Sequence, residues 1–318
     1  MSTERIQWIV GLKGLLCVLI CLYHFTTRYS ERYGIYFSPA FDYGAEIGVT
    51  CFFIISGFFV SKNSNQIRSG IIRWLLTRYI KLYPSYFICL CFTFIILNFF
   101  PLPDRNDISF LNFIKDIIMC PYISGHIEHA SWYVFALLRL FIISGLLVKF
   151  RLLDSSWFHF VFSLSLLGWG DLMSNIFVSI PFFMGVVLEQ SRRNKLLSIS
   201  YFFDAFVLVY NGNSYVLLIS TILLFFLFNL NEIKLCDGIR SLLSLKIFLM
   251  LGTISYTWYL VHQNVGFVII RYLDLSYPFL HLFLPYVALF FTFLIAFVLD
   301  RIPLNRICQK YLLDRIKC

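Results

Sequence analysis

The 318-residue sequence is poor in charged residues. Asp, Glu, Lys and Arg together make up 14% of it, with 17 acidic against 26 basic side chains. Soluble globular domains carry about 25% charged residues, so this composition excludes an ordinary soluble enzyme. No long polar insert interrupts the chain either. We therefore predict one domain over residues 1–318.

The sequence also lacks the cysteine pattern of a disulfide framework. Eight of its nine cysteines fall in apolar stretches or in segments that we predict to be cytoplasmic, and only Cys120 falls in a predicted outer segment. An extracytoplasmic disulfide needs two partners on that side of the membrane. We also expect no cleavable signal peptide, because Lys13 interrupts the first apolar stretch.

Apolar residues dominate the composition. They make up 59% of the chain, with 37 Phe, 19 Tyr and a mean hydropathy of +0.79. These values are typical of a polytopic integral membrane protein. We predict an all-α fold of about ten transmembrane helices, at roughly residues 8–25, 46–61, 82–100, 131–148, 157–171, 174–189, 198–210, 214–229, 247–270 and 279–299.

The basic residues concentrate in alternate connecting segments. With the N-terminus inside, the inner segments hold nineteen Lys and Arg residues and the outer segments five. This asymmetry follows the positive-inside rule and predicts that both termini are cytoplasmic. It also accounts for the net charge of +9 without a nucleic-acid partner, and we expect none.

The first apolar stretch, Trp8 to Phe25, contains two residues that are unusual in hydrocarbon, Lys13 and His24. Its eighteen residues span about 27 Å as a helix, close to the thickness of a bilayer core. At about 100° per residue, eleven positions return to within roughly 20° of the same face, about 16 Å further along. Either this stripe faces the interior of a helix bundle, or Lys13 snorkels to one interface and His24 lies at the other.

Other ionisable residues lie at the predicted membrane surfaces. Arg78 and Lys81 are three positions apart at the cytoplasmic start of the third span. They share a helix face and suit either cofactor phosphates or ordinary membrane anchoring. Glu46 is predicted near the level of His24, where it either orients that imidazole or remains an exposed acid.

Polar residues also occur inside apolar segments. His262, Gln263 and Asn264 are consecutive in the ninth span, and Arg139 lies in the fourth, with Glu189 as a candidate counter-charge. Such residues are either interhelical ties or parts of a site. The segment 101–130 contains a predicted surface helix, an interfacial anchor or a lid. Two of its histidines, His126 and His129, flank Glu128 without a third ligand at a familiar spacing, and we predict no metal site.

Four of these stretches together resemble the acyltransferase-3 family of bacterial integral membrane acyltransferases. They are Lys13 with His24, Phe52–Phe58 (FFIISGF), Arg78–Pro84 (RYIKLYP) and Ser255–His262 (SYTWYLVH). Their order matches the family's order and covers most of the chain. Lys81 stands where the family has a second arginine. The residues after Trp132 lack the glutamate-rich element of some members, and no role that rests on that glutamate is carried over.

The resemblance implies an O-acetyltransferase of the bacterial inner membrane. It would move acetyl from cytoplasmic acetyl-CoA to a hydroxyl of a lipid-linked or envelope polysaccharide sugar. Arg78, Lys81 and Lys13 would hold the CoA phosphates, and His24, with Glu46, would act as general base or carry a transient acyl group. Trp132, Arg139, His262 and Gln263 are candidates for substrate contacts or structural polar contacts. The alternative functions are a transporter or flippase of lipid-linked saccharide and a non-catalytic structural membrane protein.

Overall fold

The computed structural model describes residues 4–35, 37, 41–118, 127–155, 158–159, 161, 176–192, 194–212, 215–229, 233–303 and 307. Every regular element in these ranges is helical, as predicted. The α-helices are α1 (Glu4–Tyr23), α2 (Tyr29–Tyr33), α3 (Gly44–Lys62), α4 (Ser64–Ser69), α5 (Ile71–Phe99), α6 (Phe110–Ile117), α7 (Ser131–Lys149), α8 (Ile176–Ser191), α9 (Leu197–Gly212), α10 (Tyr215–Asn229), α11 (Lys234–Leu243), α12 (Lys246–Ser276) and α13 (Leu284–Asp300).

Five helical segments are long and apolar enough to cross a membrane. They are Gln7–Tyr33, Gly44–Lys62, Ile71–Phe99, Ser131–Lys149 and Pro278–Asp300. The bent pair α10 and α11 adds a sixth if it forms one broken span, and two apolar stretches in α8 and α9 are shorter. The chain is therefore a helical membrane protein. The number of ten spans and the cytoplasmic termini stay predictions, and nearly all of the fifth predicted span, 157–171, lies outside the described residues.

The helices form two compact units. The first comprises Met1–Ala45, Thr77–Ala136 and Leu245–Cys318, and the second comprises Glu46–Leu76 and Leu137–Ser244. Each unit draws on distant parts of the chain, so neither can be cut out as a continuous segment. The single domain over residues 1–318 stays a prediction.

The first span is not one regular α-helix. α1 passes into a π-helical turn, His24–Arg28, and α2 continues from it. The N–H of Tyr29 donates to the carbonyl of His24, five residues back, which is the π-helical pattern. Such turns are frequent at functional sites, and His24 is the first residue of this one.

Within the first unit, α1 and α12 lie side by side and run parallel. The contacting residues follow the same order along both helices, starting from the predicted cytoplasmic end of each. They join Val10 to Gly252, Cys17 to Ser255, His24 to His262 and Tyr29 to Phe267. The stripe that contains Lys13 and His24 therefore packs against α12, and Cys17 and Cys21 between them are completely buried.

Glycine permits this close approach. A Cβ atom added to Gly14 would lie 2.6 Å from the backbone nitrogen of Gly252, and one added to Gly252 would overlap the carbonyl oxygen of Val10. Small residues at helix crossings let the backbones approach in membrane proteins. The α1–α12 crossing thus depends on a glycine in each helix.

Glycine also permits a close helix contact in the second unit. A Cβ atom on Gly57 of α3 would overlap the carbonyl oxygen of Phe182, and one on Gly185 of α8 would overlap that of Ile54. Gly57 and Gly185 therefore mark a close contact between α3 and α8. Nearby, Ser61 donates a hydrogen bond to the carboxylate of Glu189 at 2.9 Å.

Candidate functional site

A polar cavity of about 500 Å³ lies in the first unit at the far end of α1 from Lys13. Seven side chains line it: His24, Arg28, Glu31, Arg32, His129, Trp132 and Gln263. They come from the π-helical turn, α2, the loop before α7, the start of α7 and the middle of α12. The cavity thus brings together three residues singled out in the sequence, His24, Trp132 and Gln263.

His24 lies at the border between the buried α1–α12 contact and the cavity. Its Nδ1 atom is buried and has no hydrogen-bond partner among the described residues. The ring nevertheless lines the cavity, so its other edge, which bears Nε2, is the one available to a ligand. Its ring meets that of His262 edge to face, with the ring centroids 4.9 Å apart.

Two arginines follow His24 at four-residue intervals and line the same cavity. Arg28 forms a 3.0 Å ion pair with Glu31. Arg32 forms an ion pair with Asp104 and contacts Nδ1 of His129 at 3.4 Å. Both guanidinium groups therefore have a carboxylate partner, and the wall offers charged donors and acceptors together.

Trp132 and Gln263 complete the wall with an aromatic plane and an amide. Trp132 is the second residue of α7, and 47% of its surface is exposed. Gln263 is largely buried on α12. An exposed indole ring beside several hydrogen-bonding groups suits a polyhydroxylated ligand, whose apolar ring faces pack on aromatic side chains while its hydroxyls are hydrogen-bonded.

A buried hydrogen-bond network holds the loop that carries His129 and Trp132. The carboxyl group of Glu128 is hydrogen-bonded to Thr93 Oγ1 at 2.7 Å and accepts from Asn264 Nδ2 at 3.0 Å. Burial raises the pKa of Glu128 to about 8, although the Thr93 hydrogen bond and the charge of Arg105 act in the opposite direction. The loop is thereby tied to α5 and to α12.

Arg105 is the cation of this network, and its side chain is almost completely buried. It bonds to the side chain of Asn264 and donates to the carbonyl oxygen of Ile127 at 2.6 Å. It also forms two bonds to Asp107, at 2.8 and 3.0 Å. Burial pushes the pKa of Asp107 upward, but the bonds from Arg105 outweigh it and hold that pKa below its usual value.

The predicted donor-binding cations lie in the first unit, on α1 and α5. Lys13 and Arg78 are both partly buried, and their charges act on one another. Lys81, one turn further along α5, is exposed. Lys13 lies eleven residues before His24, about 16 Å along the helix. Lys13 thus lies in the middle of α1, Arg78 and Lys81 lie on α5, and the imidazole follows the last residue of α1.

The other predicted residues lie outside the cavity lining. His262 is completely buried on the α12 side of His24. Glu46, in the first turn of α3, and Arg139, in α7, belong to the second unit. Glu46 as partner of His24, and Glu189 as counter-charge of Arg139, stay predictions.

Sequence reasoning missed several residues of the site. The sequence analysis included Arg32 and Arg105 only among the basic residues of the outer segments. It considered Glu128 only as part of a metal site, which it rejected. Asp116, in the predicted surface helix, is completely buried and accepts from the N–H of Ile127 at 2.8 Å. His126 lies outside the described residues. The sequence feature that indicates this buried network is Asn264, a polar residue within an apolar segment, because such a residue needs hydrogen-bond partners.

The comparisons with known proteins give one match. A family model described as an acyltransferase domain matches residues 6–301. No curated protein and no solved structure matches the chain. The match spans every helix that contributes to the cavity.

Proposed function

This chain belongs to the acyltransferase-3 family, and we propose that it is an O-acetyltransferase of the bacterial inner membrane. It transfers acetyl from cytoplasmic acetyl-CoA to a hydroxyl of a lipid-linked or envelope polysaccharide sugar. The observation that carries the proposal is the position of His24, in the lining of a polar cavity and eleven residues after Lys13 along the first span.

We assign the chemistry to Nε2 of His24. This nitrogen takes the proton of the acceptor hydroxyl as the hydroxyl oxygen attacks the thioester carbonyl of acetyl-CoA. The carbon–sulfur bond then breaks, and the departing CoA thiolate receives the proton from the imidazolium. Acetyl ends on the sugar oxygen and free CoA is released.

The cavity wall supports a saccharide as the acceptor. Trp132 supplies an aromatic surface for a sugar ring, and Gln263, Glu31 and the arginines supply partners for its hydroxyls. Because the cavity wall contains both cations and a carboxylate, it can form hydrogen bonds to the hydroxyl groups of an uncharged acceptor. The asymmetry of basic residues predicts that this cavity lies on the outer side of the membrane.

Lys13, Arg78 and Lys81 form the donor end of this proposal. Fixed cations at a membrane surface bind phosphates through charge-assisted hydrogen bonds. The positive charges of Arg78 and Lys13 act on one another, and a bound polyphosphate would reduce their repulsion. The thioester would then extend toward His24.

The first experiment tests the base. We expect His24→Ala to abolish O-acetyl signals in NMR spectra of the envelope polysaccharide, while the protein still inserts and accumulates normally. His281→Gln is the matched control, because His281 pairs with Asp274 away from the cavity. Full acetylation by His24→Ala would refute the assignment. Saccharide transfer across vesicles without acetyl-CoA, and without new ester, would favour a flippase.

The second experiment tests the donor site. Arg78→Ala should raise the KM for acetyl-CoA about tenfold or more, since each charge-assisted bond contributes about 1.5–3 kcal/mol. Arg73→Ala is the control, because Arg73 is an exposed arginine earlier in the same helix. An unchanged KM in Arg78→Ala would place the CoA phosphates elsewhere.

A further inference from the structure

Two buried nitrogen atoms in neighbouring rings lack hydrogen-bond partners among the described residues. They are Nδ1 of His24 and Nε2 of His262. The rings meet edge to face, with centroids 4.9 Å apart. Buried polar atoms are nearly always hydrogen-bonded in native proteins, so two such atoms in one ring pair call for an explanation.

The backbone fixes the proton position of His262. Its Nδ1 lies 2.5 Å from the carbonyl oxygen of Tyr259. A carbonyl oxygen only accepts, so Nδ1 carries the proton and donates it. A neutral imidazole has one N–H, which leaves Nε2 of His262 as an unused acceptor in a completely buried ring.

His24 needs an acceptor for the hydrogen on its Nδ1. The proposed base is its Nε2, which must be unprotonated to accept a proton, so Nδ1 must carry the hydrogen. We infer that His262 is a positioning residue, whose Nε2 accepts a hydrogen bond from Nδ1–H of His24. This inference rests on the proposed function of His24. The bond requires a rotation about χ2, a torsion with a broad energy profile.

The packing around the rings explains why this partner suits the reaction. The glycine crossing of α1 and α12 and the position of Phe25 against Gly266 hold the two histidines at a fixed separation. When His24 takes a proton, the bond to His262 becomes charge-assisted and stronger. His262 therefore selects the reactive tautomer and stabilises the imidazolium that forms.

The activity test uses two variants that differ in acceptor capacity. His262→Phe keeps a planar ring without an acceptor, and we expect the rate of [14C]acetyl transfer into envelope polysaccharide by membrane vesicles to fall roughly 10–100-fold. The KM for acetyl-CoA should stay within about twofold. His262→Gln offers a side-chain oxygen and should recover much of the loss. Wild-type rates in His262→Phe, with His24→Ala inactive, would overturn this inference alone, whereas an active His24→Ala would overturn the proposed function as well.

A second readout does not depend on turnover. In wild-type protein labelled with 15N-histidine, the His24 signals are those that disappear in His24→Gln. We expect chemical shifts of a protonated Nδ1 and an unprotonated Nε2 near neutral pH. The opposite tautomer in the wild-type protein would refute the inference.

Discussion

The pH dependence of stability at Glu128 is a quantitative test of the loop network. Its carboxyl group is completely buried, lies outside the membrane-spanning helices and has a pKa raised by burial to about 8 from an ordinary value of 4.5. A raised carboxyl pKa means that the folded protein retains a proton that the unfolded chain has lost. Between pH 4.5 and about 8, the free energy of unfolding therefore falls as the pH rises, and above that range it levels off.

The size of the effect follows from one proton. The free energy of unfolding changes by about 1.4 kcal/mol per pH unit while the folded state alone is protonated. Because the slope fades near the pKa, we expect a loss of roughly 2 kcal/mol from pH 6 to pH 8. Glu128→Gln removes this loss, since the amide mimics the neutral acid: its N–H₂ donates to Thr93 Oγ1 and its oxygen accepts from Asn264.

The assay is thermal unfolding in detergent, followed by circular dichroism at pH 6, 7 and 8. We expect Glu128→Gln to match the wild-type protein near pH 6 and to unfold at a clearly higher temperature at pH 8. Glu31→Gln is the control, because the Glu31 side chain is 52% exposed, and its difference from wild type should not change over this range. A constant difference between Glu128→Gln and wild type from pH 6 to pH 8 would refute the reasoning.

Three further predictions address the helix crossing, the loop and the cavity. Gly252→Leu should abolish activity and folded yield because its side chain overlaps the carbonyl of Val10, whereas Gly238→Leu, which meets open space, should behave as wild type in yield and activity. Arg105→Ala should lower the free energy of unfolding by about 3–5 kcal/mol in denaturant titrations, since it leaves buried partners unpaired, and a loss below 1 kcal/mol would contradict the network. Trp132→Ala should reduce polysaccharide O-acetylation about tenfold in NMR spectra while acetyl-CoA binding by calorimetry stays unchanged; reduced acetyl-CoA binding would move Trp132 out of the acceptor site.

The sequence predicted the parts of the fold that follow from apolar periodicity and charge. The all-helical class required only hydropathy. The spacing of eleven residues left two positions open for His24, and the contact with His262 on α12 decides between them. The order of the four motifs indicated the family to which the chain belongs. These features are local or nearly local, which is why a single sequence contains them.

The parts that sequence reasoning missed depend on contacts between distant segments. Asn264 bonds to Glu128, 136 residues away, and Arg105 bonds to Asn264, 159 residues away. Nothing in the neighbourhood of Arg105 distinguishes it from a solvated outer charge. The three consecutive polar residues of α12 indicated that each needs a polar environment, but not which one. In the structure His262 contacts His24, Gln263 lines the cavity, and Asn264 bonds to the loop before α7.

The π-helical turn at His24 lets the first span pack on α12 and also direct side chains into the cavity. Tyr29 must continue the packing on α12, where it meets Phe267, while Arg28 and Arg32 must reach the cavity. A wider turn leaves backbone carbonyls poorly bonded, which is costly in a membrane. Hydroxyls of the following residues compensate, because Thr26 donates to the carbonyl of Leu22 and Ser30 to that of Thr26, each at 2.7 Å. The hydroxyl residues that follow His24 thus stabilise the distortion that turns Arg28 and Arg32 toward the cavity.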